Sequence, residues 1–132
     1  MSWDFQGKQI VVTGGANGIG LAISRSLAAA GGSVWIFDLP EANPAEAAQS
    51  IGAQACAVDI ADRRSTQEAF ARVPDPSVVV VNAGIAPCRS LFETTPDLWD
   101  RVLSINLFSY PADRGRAPEA ARRRLDHVNC LH

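Results

Sequence analysis

At 132 residues the chain has room for one domain of ordinary size and none for a second of any substance. Hydrophobic residues at 47%, charged residues at 20%, 10 Gly and 8 Pro describe a globular protein and exclude collagen-like, low-complexity and disordered classes. Twelve basic against fourteen acidic side chains give a net charge of −2, which offers no footprint for nucleic acid, and no run approaches the roughly 20 apolar residues that span a bilayer.

The first residues, Met1 to Lys8, lack a basic region followed by an apolar one, so a cytoplasmic location without membrane attachment is expected. Ile10-Val11-Val12 reads as a first strand, and Ile19, Ile23 and Leu27 recur at helical spacing until Gly31-Gly32. Ser33 to Phe37 reads as a second buried strand, with Trp35 and Phe37 as core. Asn43-Pro44-Ala45-Glu46 supplies a cap, a proline at the first helical position and an acid in the first turn. Ala53 to Val58 reads as the third strand, and Asp62 can cap a helix burying Ala69, Phe70 and Val73. The valines 78–81 form a continuous β-branched run, as in a strand covered on both faces. Thr95-Pro96-Asp97 starts a last helix whose Leu98, Val102 and Ile105 share a face, with Trp99 packed in it. Alternating strands and helices imply right-handed crossovers and a parallel sheet.

After Phe108 the pattern fails. Ala, Arg and Pro fill 11 of the 24 positions 109–132, and Pro111 and Pro118 would each break a helix. The charge also reverses: residues 1–108 hold 7 basic and 11 acidic groups, residues 109–132 hold 5 and 3. Arg122-Arg123-Arg124 reads as a solvated run, and His127 and His132 have no ligand-like partners. Cys56, Cys88 and Cys130 are odd in number and far apart, so neither a disulfide framework nor a metal site is expected, and the thiols read as reduced.

Thr13-Gly14-Gly15-Ala16-Asn17-Gly18-Ile19-Gly20 falls where the first strand ends and the first helix begins. Glycines there let the backbone turn tightly and approach a pyrophosphate, while the helix N-terminus presents unpaired N–H groups and partial positive charge. A glycine cluster alone also fits any strand-to-helix turn; here the strand and the helix stand where the motif requires them. Asp38 follows Gly20 by 18 residues at the end of the second strand. A carboxylate in that position can accept from the adenosine ribose hydroxyls and repels a 2′-phosphate; otherwise it is a solvated loop Asp before Pro40.

Together, Thr13-Gly14-x-x-x-Gly18-x-Gly20, Asp38, Asp59-Ile60, Asn82-Ala83-Gly84 and Asn106 resemble, in order and spacing, the N-terminal half of the short-chain dehydrogenase/reductase family over residues 5–108. The resemblance implies an α/β fold, a partial Rossmann (doubly wound) parallel sheet of four strands in order 3-2-1-4; the failing pattern after Phe108 adds the expectation of an irregular or helical C-terminal tail. It implies cofactor-binding roles for Thr13, Gly14, Asn17, Gly18, Ile19 and Gly20, for Asp38 and Leu39, for Asp59, at the adenine, and Ile60, and for Asn82, Ala83 and Gly84. It assigns Asn106 to the catalytic group. Val81 departs from the pattern, since many members carry an Asn there. NADP users often have a basic residue just before the second motif glycine or just after the second strand; Asn17 and Leu39 stand there, so NAD is expected over NADP.

The family's remaining catalytic groups are a Ser and a Tyr-x-x-x-Lys pair. The only Lys is Lys8, and the only Tyr, Tyr110, has Arg114 four residues on; Ser109 follows no suitable strand. The expectation is therefore a cofactor-binding half without turnover, residues 1–108, followed by an atypical tail. The alternatives are a non-catalytic NAD-binding or interaction module, self-associating through an exposed fourth strand, and a translation product without function. The tail itself suggests a one-nucleotide frameshift after about residue 108. Shifted codons for Arg122–Leu125 permit Gly-Gly-Trp, and those for Asp126–His132 permit Ile-Met-Ser-Thr-Ala-Ser, which resembles the family's fifth strand.

Overall fold

The computed structural model describes residues 3–107. The expectations placed on the tail, on Ser109, Tyr110, Arg122 to Arg124, Cys130, His127 and His132, lie outside the described residues. The described chain runs β1 (Gln9–Thr13), α1 (Gly18–Ala29), β2 (Ser33–Asp38), α2 (Pro44–Ile51), β3 (Gln54–Ala57), α3 (Arg63–Ala71), β4 (Pro76–Val81) and α4 (Pro96–Asn106). All pairings are parallel and the order is β3-β2-β1-β4, the doubly wound arrangement expected from the sequence. No helix among the described residues is long and apolar enough to cross a membrane.

Strand periodicity divides the core into two layers. Val11, Trp35, Phe37 and Val79 face one side of the sheet with Ala69 and Phe70 of α3 and Ile105 of α4. Ile10, Val12, Val34 and Ile36 face the other, with Leu21 and Leu27 of α1 and Ala48 and Ile51 of α2. The Phe37 and Phe70 rings meet edge to face at 5.1 Å. Because the first two helices cover one face and the last two the other, the winding reverses between β1 and β4. In such sheets a crevice opens at that reversal, beyond the carboxyl ends of the strands.

Local signals explain most of the element ends. The Asp62 side chain accepts from the N–H groups of Arg64 at 2.9 Å and Ser65 at 3.3 Å and starts α3. Asp62→Ala is expected to cost about 1 kcal/mol in urea unfolding, with Asp62→Ser close to the unmodified chain. Thr95 caps α4 through Oγ1, which accepts from Leu98 N–H at 3.2 Å. Just before α4, the Ser90 hydroxyl and N–H both donate to the Glu93 carboxylate and hold its pKa below the ordinary value.

Three local expectations are corrected. Asn43 precedes α2 but makes no side-chain cap bond, because it adopts left-handed φ 50°, ψ 55° to join the 3-10 turn Pro40–Ala42 to the helix. A capping side chain needs extended backbone; Asn is one of the few residues that tolerates the left-handed alternative. Trp99 is 58% exposed, since it lies roughly 120° around α4 from Ile105. Ile19 is 75% exposed: the first turn of α1 overhangs the strand ends, and Gly20 and Ser24 take the fully buried positions. Strand β4 is half-buried apart from Val79 and pairs only with β1 among the described residues, so its second edge has no strand partner there. Pro76 opens it, a position an edge strand tolerates.

Candidate functional site

The turn from β1 into α1 uses its glycines for different reasons. Gly14 has φ +63°, its N–H donates to the Phe37 carbonyl at 2.8 Å, and a Cβ there would stand 2.9 Å from the Ala83 Cα. A Cβ on Gly20 would overlap the Gly14 carbonyl oxygen and lie 2.6 Å from Asn82 Nδ2. These two glycines permit close packing of the protein against itself. Of the glycines in this turn, Gly18 combines left-handed φ, +50°, with open space around the position of its missing Cβ. Asn17 occupies the N-cap position of α1 without a side-chain cap bond, and no acid lies in the first turn. The leading N–H groups of α1 are thus left without a side-chain acceptor, at the positive end of the helix dipole.

Thr13 and Asn82 tie this turn to the end of β4. Thr13 Oγ1 donates to the Val80 carbonyl at 3.4 Å and accepts from Asn82 N–H at 3.1 Å and Ala83 N–H at 3.2 Å. Asn82 Nδ2 donates to the carbonyls of Thr13 at 3.2 Å and Gly14 at 3.0 Å. Both side chains are therefore spent on holding two loops together, and the open surface of the second loop belongs to Ala83 and Gly84. Asn106 does a similar job one step further out: its Oδ1 accepts from Ile85 N–H at 2.8 Å and its Nδ2 donates to Ile85 O at 2.9 Å. That pair of bonds fixes the end of α4 to the chain leaving β4.

Beyond the strand ends lies a cleft of about 150 Å³. Asp38, Leu39, Asp59, Ile60, Ala83 and Gly84 all line it, so the structure brings together the expected residues of three separate loops. Of the glycine turn only Gly14 reaches it; Asn17, Gly18 and Ile19 stand outside as an exposed rim. The Asp38 carboxylate accepts from Ala16 N–H and from Leu39 N–H, both at 2.9 Å, and so also braces the glycine turn. Asp59 Oδ1 accepts from Ala61 N–H at 2.9 Å, and Val58 N–H donates to the Asp38 carbonyl at 2.8 Å, extending the β2–β3 ladder to the cleft. Among the described residues no group of three His, Cys, Asp or Glu side chains could hold a metal ion.

Sequence reasoning missed Val58, Ile85 and Arg101, which also line the cleft. For Arg101 a signal was present: it precedes Ile105 by one helical turn and therefore shares its inward face. Ile85 carried no comparable signal, since its place depends on the Asn106 bonds.

The sequence profile described as short chain dehydrogenase matches residues 8–112. A hydroxyacyl-CoA dehydrogenase of Mycobacterium tuberculosis is 37% identical over 117 residues, covering 79% of this chain and 37% of that protein. An L-rhamnose 1-dehydrogenase (NADP(+)) of Thermoplasma acidophilum is 33% identical over 117 residues, covering 81% and 46%. Among solved structures, one described as an NAD(P)-dependent gluconate 5-dehydrogenase of Beutenbergia cavernae, with NADP bound at low occupancy, superposes with a TM-score of 0.75 at 30% identity, covering 83% of this chain and 47% of that one. The chain spans less than half the length of each of these relatives. With the sheet order, the glycine turn and the matched profile in agreement, the chain belongs to the short-chain dehydrogenase family.

Proposed function

We propose that residues 1–108 are the NAD(H)-binding part of a short-chain dehydrogenase/reductase, a family whose reaction moves a hydride between a nicotinamide cofactor and an alcohol or carbonyl. The observation that carries this reading is the cleft that joins Asp38, Asp59 and Ala83 beside an α1 whose N-terminus has no side-chain cap. The residues present fit a dinucleotide: backbone N–H groups and a helix dipole for the diphosphate at Gly18 to Gly20, and a carboxylate for the ribose hydroxyls at Asp38. Asp59 and Ile60 would hold the adenine, while Thr13, Gly14 and Asn82 would keep the two loops in register. Bound there, the nicotinamide ring would supply or accept the hydride.

NAD is preferred over NADP in this reading, although two relatives are named for NADP and the similar solved structure from Beutenbergia cavernae holds NADP. Asp38 is already an acceptor for two N–H groups, and a 2′-phosphate brought beside it would meet like charge. Neither Asn17 nor Leu39 offers a cation to offset that. By its position in the motif Asn106 would belong to the catalytic group, but the 132 residues contain no Tyr-x-x-x-Lys, so cofactor binding without turnover is expected of this chain. Titration of the 132-residue chain with NADH by calorimetry, followed by incubation with NADH and a panel of aldehydes and ketones, tests both parts. Saturable binding with no NADH consumption is the expected result; consumption above the protein-free rate overturns the second part.

A non-catalytic binding module is favoured by one observation, the second edge of β4, which has no strand partner among the described residues. Unpaired strand edges template association. The chain is accordingly expected to sediment as dimers or larger species at micromolar concentration, and a monodisperse monomer would contradict this.

A further inference from the structure

We infer that Arg101 covers the adenine end of the cleft, its guanidinium plane lying on the base. The inference rests on the nucleotide reading above and adds a residue that the family pattern of this sequence does not include. Three observations lead to it. Arg101 lines the cleft from α4, together with Ile105 one turn later, whose side chain is buried in the core and fixes the orientation of that helix face. Much of the remaining lining is apolar, Val58 and Ile60 from the segment after β3 and Ala83 and Ile85 from the segment after β4, which offers a flat ring a non-polar surface. The guanidinium has no hydrogen-bond or ion-pair partner among the described residues, although Asp38 and Asp59 line the same cleft.

A diphosphate is the competing ligand for such a cation. It is disfavoured by place, because the phosphate-binding turn stands outside this cleft apart from Gly14. An adenine ring in the cleft would present one face to this apolar lining and leave the other open to solvent. Arginine suits that second face: its guanidinium is planar, delocalised and weakly hydrated, so it stacks on an aromatic plane at small desolvation cost. Lysine would bring the same charge as a hydrated point without a plane. Arg101 thus acts as a binding residue for the adenosine half and is indifferent to the 2′ position.

The test uses the full chain with Arg101→Met and Arg101→Lys, each checked for unchanged far-UV circular dichroism, titrated with ADP-ribose, NADH and NADPH. Arg101→Met is expected to weaken ADP-ribose and NADH by the same factor, about fivefold, and Arg101→Lys to recover little of it. Three results would overturn the inference: unchanged affinity in Arg101→Met, full recovery in Arg101→Lys, or a loss confined to NADPH, which would mark a phosphate contact instead. Failure of the unmodified chain to bind either NADH or ADP-ribose would reject the nucleotide reading itself, and is distinguishable from failure of the Arg101 variants alone.

Discussion

Gly20→Ala is expected to lower stability by about 3 kcal/mol and to abolish NADH binding under conditions where the unmodified chain saturates. The added methyl would overlap the Gly14 carbonyl oxygen and stand 2.6 Å from Asn82 Nδ2. Neither neighbour can move independently. Gly14 is held by its N–H bond to Phe37, and the Asn82 amide already donates to two carbonyls. Relief requires α1 to lift from the sheet, which breaks the turn that is to receive the diphosphate. Gly18→Ala is the informative control, since it has only left-handed backbone to pay for, about 1 kcal/mol, and no steric conflict. Urea unfolding of both variants beside NADH titration separates the effects. Equal losses in the two variants would mean that close packing at Gly20 is not the dominant constraint.

The second large effect is expected at Asp38. Replacing it with Asn should raise the ratio of NADPH to NADH affinity by about tenfold, equivalent to ~1.4 kcal/mol. Removing the charge ends the repulsion of a 2′-phosphate and weakens acceptance from the ribose hydroxyls. Asp38→Ala is a harsher change than the charge alone suggests. The carboxylate also accepts from Ala16 N–H, and without it that buried residue of the glycine turn loses its partner. Both cofactors are therefore expected to bind less well to Asp38→Ala, while Asp38→Asn, which keeps one acceptor, retains more of the NADPH affinity. Isothermal titration of the two variants with each cofactor checks this; an unchanged ratio in both would remove Asp38 from cofactor choice.

Much of the fold was legible because its signals are local. Apolar runs bounded by glycine and proline marked β1, β2 and β4, and Asp62 and Thr95 marked two helix starts through side-chain oxygens at the right spacing. The signals that misled were also local, and tertiary context overrode them. Asn43 had the composition of a cap, yet its backbone was needed to turn between two helical segments. Ile19 kept the helical period but sits where the helix has passed the end of the sheet. In the site, family spacing selected residues of which Gly14, Asp38, Leu39, Asp59, Ile60, Ala83 and Gly84 line one cleft, but it could not tell which of the others act on the protein itself. Thr13, Asn82 and Asn106 direct their side-chain hydrogen bonds to backbone groups of neighbouring segments. For Arg101 the spacing from Ile105 marked the face it shares, but what that face lines depends on how α4 packs on the sheet.

The central claim is that a nicotinamide dinucleotide lies across the ends of β1, β2, β3 and β4. Hydrogen–deuterium exchange of the full 132-residue chain, read by mass spectrometry with and without saturating NADH, tests it most directly because it reports where the ligand sits in monomers and assemblies alike. The account predicts slowed exchange in the segments holding Gly18 to Gly20, Asp38 and Leu39, Asp59 and Ile60, and Ala83 and Gly84, with α2 unaffected. Exchange unchanged in those segments, or protection confined to the free edge of β4, would contradict it.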